Sequence, residues 1–182
     1  SNLGALTTAG TDVITITVND NAEADVTASD LSTLGGKTAG VVTVSNAVDI
    51  SGTASELTAA LVTADTLVVA GTATANITDE ASTDIDATVL SAIGAKTSGA
   101  ITVTNAIDIA GTADEVTAAL VTDDTLVVAS TATVTISDNP SISALNAIAA
   151  KTDGVVTATL AADSLSNLGA LTTAGTDVIT IT

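Results

Sequence analysis

No residue of this chain is Phe, Tyr, Trp, Met, Cys or His, one is Pro, and only three are basic, all of them lysines. Each absence excludes something. Without Cys there is neither a disulfide scaffold nor a thiolate metal site. Without aromatic rings or clustered Lys and Arg there is no stacking platform for bases and no footprint for phosphates, so no nucleic acid is expected as a partner. Without His or Cys, a Ser or Thr nucleophile lacks its usual base, and the chain reads as a non-enzyme. No run approaches 18 consecutive apolar residues, so no membrane span is expected. With neither Cys nor Met, little in the chain oxidises, which suits an extracellular or cell-surface setting. A basic-then-apolar leader is also missing, and the repetition described next places targeting signals elsewhere.

What is present is apolar and acidic. The chain is 46% hydrophobic with 21 acids and a net charge of −18, and its mean hydropathy of +0.58 is too high for a disordered acidic tail. The core must be built from Val, Ile, Leu and Ala, which favours thin, regular layers.

The chain repeats itself at two scales. Residues 1–17 (SNLGALTTAGTDVITIT) recur letter for letter at 166–182, so that Ser166 restarts the text of Ser1. The expectation is one tandem repeat unit over 1–165, followed by the start of the next over 166–182. Within the unit, Lys37, Lys96 and Lys151 mark three related phrases. They divide it into sub-repeats near 30–87, 88–141 and 142–165, the last continuing into 1–29 of the next copy.

Each sub-repeat holds two passages of one grammar: a short helical pattern, a turn and a β run. Thr53-Ala-Ser-Glu56 and Thr112-Ala-Asp-Glu115 are capping boxes. Leu57/Leu61, Val116/Leu120, Leu31/Leu34, Leu90/Ile93 and Leu145/Ile148 form narrow apolar stripes at helical spacing. In the β runs Ile101, Val103, Ile107 and Ile109 alternate with Thr102, Thr104 and Asp108, and the phase slips near Asn105, which predicts a corner there. Strands joined through helices run parallel with right-handed crossovers. The expected fold is therefore a right-handed parallel β-solenoid, an α/β solenoid with one short helix per coil and about six coils in the repeat unit.

The acids recur in register. Asp65, Asp124 and Asp177 are read as opening strands, and Asp49 and Asp108 recur in NAVDI and NAIDI, with Asp163 a poorer match. Asp20, Asp79 and Asp138 fall in the longest loops, where Asp25 and Asp84 add further oxygens. Two readings stay open for these five residues: calcium ligands, since oxygen-only loop clusters suit Ca²⁺, or solvated carboxylates. No calcium loop signature of the EF-hand or glycine-rich nonapeptide kind is present. The lysines read as register devices at helix C-termini, with Lys96 placed one coil from Asp123 and Asp124. Thr-x-Thr pairs such as Thr102/Thr104 and Thr133/Thr135 resemble the flat face of ice-binding proteins, but the pair changes place between successive coils, which favours plain strand formers on a wet face.

Over all 182 residues, with GTADEVTAAL and DTLVVASTATVTISD as its carriers, the sequence resembles the giant Ala/Thr/Val/Asp-rich tandem-repeat proteins of bacterial surfaces. These include large adhesins, S-layer-like proteins and the long surface proteins of marine cyanobacteria. The resemblance implies secretion, a structural or adhesive role and, often, calcium; the sequence departs from the RTX pattern in lacking glycine-rich calcium repeats. The expected function is the shaft of an extracellular filament or surface layer. Its copies meet end to end, and divalent cations draw them together laterally. The alternatives are the spacer of a secreted, calcium-dependent adhesin and an ice-binding surface.

Overall fold

The computed structural model describes residues 5–122 and 126–182. Among them thirteen short strands alternate with six helices. In chain order these are β1 (Ile16–Val18), β2 (Asp25–Thr27), α1 (Ala28–Gly35), β3 (Val42–Val44), β4 (Asp49–Gly52) and α2 (Ala54–Leu57). A π-helical turn (Thr58–Val62) extends α2, and a 3₁₀ turn (Ala64–Thr66) follows after extended Thr63. There follow β5 (Val68–Val69), β6 (Thr74–Ile77), β7 (Asp84–Asp86), α3 (Ala87–Gly94), β8 (Ile101–Val103), β9 (Asp108–Gly111) and α4 (Ala113–Leu120). The last elements are β10 (Val127–Val128), β11 (Thr133–Ile136), α5 (Ile142–Ala149), β12 (Val156–Leu160), α6 (Leu165–Leu168) and β13 (Val178–Ile181).

The helices form where the sequence supplies caps. Thr53 and Thr112 accept from the backbone of Glu56 and Glu115, whose carboxylates accept in return from the two threonine amides at 2.8 Å. The apolar stripes Leu31/Leu34, Leu57/Leu61, Leu90/Ile93, Val116/Leu120 and Leu145/Ile148 are all buried, as are Ile101, Val103 and Ile109 on the strands and Ile107 at the corner between β8 and β9. From α1 to α5 each helix packs on the next one in the chain and against neighbouring strands, so the core is a thin layer between helices and sheets.

The expected single right-handed β-solenoid is not what forms. The protein is an α/β fold with three separate parallel sheets, ordered β1-β3-β5, β10-β8-β6-β4-β2 and β13-β12-β11-β9-β7. The reading of one bent strand per coil fails at the corners, where the strands break instead of bending. The Asn46 and Asn105 amides donate to the Asp20 and Asp79 carbonyls (2.6 and 2.7 Å), while Val48 and Ile107 bond back two residues. Those bonds satisfy the corner backbone outside any ladder, and the two halves of each run join different sheets.

The architecture maps onto itself when Ile16 is laid on Ala75 and the chain is followed from there. The pairs Ile16↔Val42 and Val42↔Val68 become Ala75↔Ile101 and Ile101↔Val127. Likewise Asp25↔Asp49 and Asp49↔Thr74 become Asp84↔Asp108 and Asp108↔Thr133. The strand β6 closes one three-strand set (β2-β4-β6) and opens the next (β6-β8-β10), and β11 does the same one step later. The sheets of three, five and five strands follow from this sharing.

Candidate functional site

The sequence-predicted metal ligands do not converge. The Asp79 and Asp138 carboxylates accept from the first amides of α2 and α4, Ala54 N at 2.6 Å and Ala113 N at 2.7 Å. These bonds tie each loop to a helix of the preceding layer and engage one oxygen of each carboxylate. Asp25 and Asp84 instead head β2 and β7, in register beside Asp49 and Asp108. Asp49 and Asp108 in turn accept from the hydroxyls of Thr74 and Thr133 one strand further on. Asp20 lines a cleft of about 290 Å³ with Asp25 and Asp30. Among the described residues no group of three or more acids is placed to hold a metal ion.

Of the residues read as strand openers, Asp177 directly precedes β13, whereas Asp65 lies in the 3₁₀ turn and the strand starts only at Val68. Asp163 accepts from Ser164 N and the Asn167 amide beside α6. Asp123 and Asp124, the expected partners of Lys96, lie outside the described residues. Threonine does not form a uniform outer rank: in register, Thr17 and Thr43 are followed by Val69, and Thr102 is flanked by Asn76 and Val128. No helix among the described residues is long and apolar enough to cross a membrane.

The residues after each lysine carry a device the sequence reading passed over. Lys37, Lys96 and Lys151 each follow a helix C-cap (Gly36, Ala95, Ala150), and each is followed by Thr-x-Gly. The hydroxyls of Thr38, Thr97 and Thr152 donate to the Ile14, Ala73 and Ala132 carbonyls of the preceding layer. They accept from Gly40, Gly99 and Gly154 N at 2.8, 3.1 and 3.0 Å. A Cβ on any of these glycines would overlap the same three carbonyl oxygens. The Lys-Thr-x-Gly phrase is thus an interlayer staple, and its recurrence beside all three lysines was the available signal.

The sheet edges are the remaining candidate. Edge strands with open backbone groups are templates for pairing unless blunted by charge or brevity. Four of the edge strands are blunted: β5 and β10 are two residues long, while β2 and β7 carry Asp25, Asp84 and Asp86. The edges of β1 and β13 carry no charge and only Ile, Thr and Val. Exposed aliphatic side chains gather beside them, with Val13 81% and Ile14 37% accessible next to β1, and Val178 55% and Ile181 47% on β13. Such edges can extend a β ladder through main-chain hydrogen bonds.

The two copies of the repeated segment differ in their surroundings. In both, the aspartate closes the same turn, with Ala9 N donating to Asp12 Oδ2 (2.9 Å) and Ala174 N to Asp177 Oδ2 (2.8 Å). The second copy is also seated on a preceding layer. There Val156 N donates to Asp177 Oδ1 (2.9 Å), the Asn146 side chain brackets Ala170 and Thr172, and β13 pairs with β12 through Ala158↔Ile179 and Leu160↔Ile181. Comparison with known protein families, curated proteins and solved structures finds no match.

Proposed function

We propose that the protein is a structural element of an extracellular filament or surface layer, whose copies meet end to end through the edges of β1 and β13. The observation that carries this reading is the selective blunting of edges. The edge strands β5, β10, β2 and β7 are short or acidic, while those of β1 and β13 are uncharged and rich in β-branched residues. Such edges add strands by main-chain hydrogen bonding, with alternate side chains setting the register. The lack of Cys and Met and the resemblance to repeat proteins of bacterial surfaces support an extracellular setting. The −18 charge keeps assemblies apart at low salt and lets divalent cations draw them together laterally.

The test is immunolabelling of intact cells that make the protein, with the label followed into electron micrographs. The reading expects surface label running along filaments or a continuous layer. Label that appears only after the cells are permeabilised contradicts it.

A further inference from the structure

We propose that the free edge of β7 and the groove beside it receive an extended basic segment of another protein, which adds to the sheet as a further strand. This contact is separate from the end-to-end one, which uses β1 and β13.

The strand β7 ends its sheet, with β9 as its neighbour on the other side. Asp108 N donates to the Thr83 carbonyl at 2.9 Å, and in a parallel ladder that register turns the Asp84 and Asp86 amides away from β9. On this open side lies a groove of about 630 Å³. One wall comes from the preceding layer, with Ala54 of α2 and Thr58 and Ala59 of the π-helical turn. The other is β7 itself and Val89 of α3. The Thr58 hydroxyl in the first wall is buried and has no hydrogen-bond partner. An open strand edge beside a partly apolar groove is the arrangement that strand addition uses, main chain giving affinity and alternate side chains specificity.

The charges identify the occupant. Asp84 and Asp86 are exposed at alternate positions of the edge, Asp79 lines the groove at the loop, and no basic residue lines it. Acids on an edge strand turn away most other strands. They turn away this chain's own, since no strand among the described residues carries a lysine. A segment that alternates basic with small aliphatic residues suits both features. Its cations fall beside Asp84 and Asp86 as cross-strand pairs, and the residues between them meet the alanines and Val89.

Fluorescence anisotropy of a labelled peptide of alternating lysine and valine, titrated with the full chain at about 0.15 M salt, tests this. Asp84→Asn combined with Asp86→Asn is expected to weaken binding about tenfold, the loss of two exposed charge pairs. Asp114 and Asp153 are exposed and lie outside the groove. Removing their two charges, as Asp114→Asn with Asp153→Asn, should leave binding within about twofold. The same peptide with its backbone amides methylated keeps its charge but cannot join a ladder, and is expected to bind at least about tenfold more weakly. Equal losses in the two double variants, or undiminished binding of the methylated peptide, would mean diffuse attraction to an acidic chain and overturn the inference. Absence of binding overturns it too, as does equally tight binding of a peptide of alternating glutamate and valine.

Discussion

The Thr97 hydroxyl is buried between two backbone groups it alone connects, the Ala73 carbonyl of one layer and the Gly99 amide of the next. Replacing it with the isosteric Val leaves both without a partner, and Thr97→Val is expected to destabilise by about 1–3 kcal/mol. The same change at exposed Thr102 should be close to neutral. Gly99→Ala drives a methyl group into the Ala73 carbonyl, and backbone cannot yield as a flexible side chain can, so a loss of at least about 1–3 kcal/mol is expected. Urea unfolding of the three variants checks the order. Ser82 gives the opposite sign. It is exposed and holds φ at 62°, a region costing a non-glycine L-residue about 1–2 kcal/mol. After the added chain entropy of glycine, Ser82→Gly is expected to gain about 0.5–1 kcal/mol in the same experiment.

At the scale of the element, a helix is held both from inside and from the neighbouring layer. Thr112 and Glu115 form the local capping box of α4, and Asp138 takes the Ala113 amide from the following layer. Asp138→Ala should cost about 1 kcal/mol of stability. Asp138→Asn, which keeps an acceptor oxygen, should cost less. Thermal melts of the two variants measure the difference.

These two kinds of bond also divide what the sequence makes legible. The capping boxes, the Leu and Ile stripes and the corner at Asn105 are local patterns within a few residues, and each is found where the pattern placed it. The sharing of β6 and β11 between strand sets is not local. Nothing within β6 distinguishes a strand that pairs on both sides from the edge strand β5. That choice is made by partners in other passages of the chain, β4 on one side and β8 on the other. The same limit applies to the acids. Asp79 and Asp138 look like convergent loop oxygens in the sequence, and their use as helix acceptors emerges only once the layers are stacked. The fold-class expectation failed for this reason, since period and alternation identify the layers without fixing which strands share a sheet.

For the whole molecule, the commitment of Asp79 and Asp138 to backbone amides bears on calcium. The melting temperature in millimolar Ca²⁺ is expected to match that in chelator at constant ionic strength. A rise of several degrees in calcium would mean the loops bind it at the expense of those bonds. Assembly is the larger question. A chain of net charge −18 repels its copies, and salt at about 0.15 M reduces that repulsion to a range of about 8 Å, short enough for the uncharged edges of β1 and β13 to meet. The most direct measurement is small-angle X-ray scattering of the full chain over a concentration series at that salt. Growth through the two end edges predicts that particle mass rises with concentration while the cross-sectional radius stays fixed. A particle that remains a single chain at every concentration, or whose cross-section thickens as its mass rises, contradicts it.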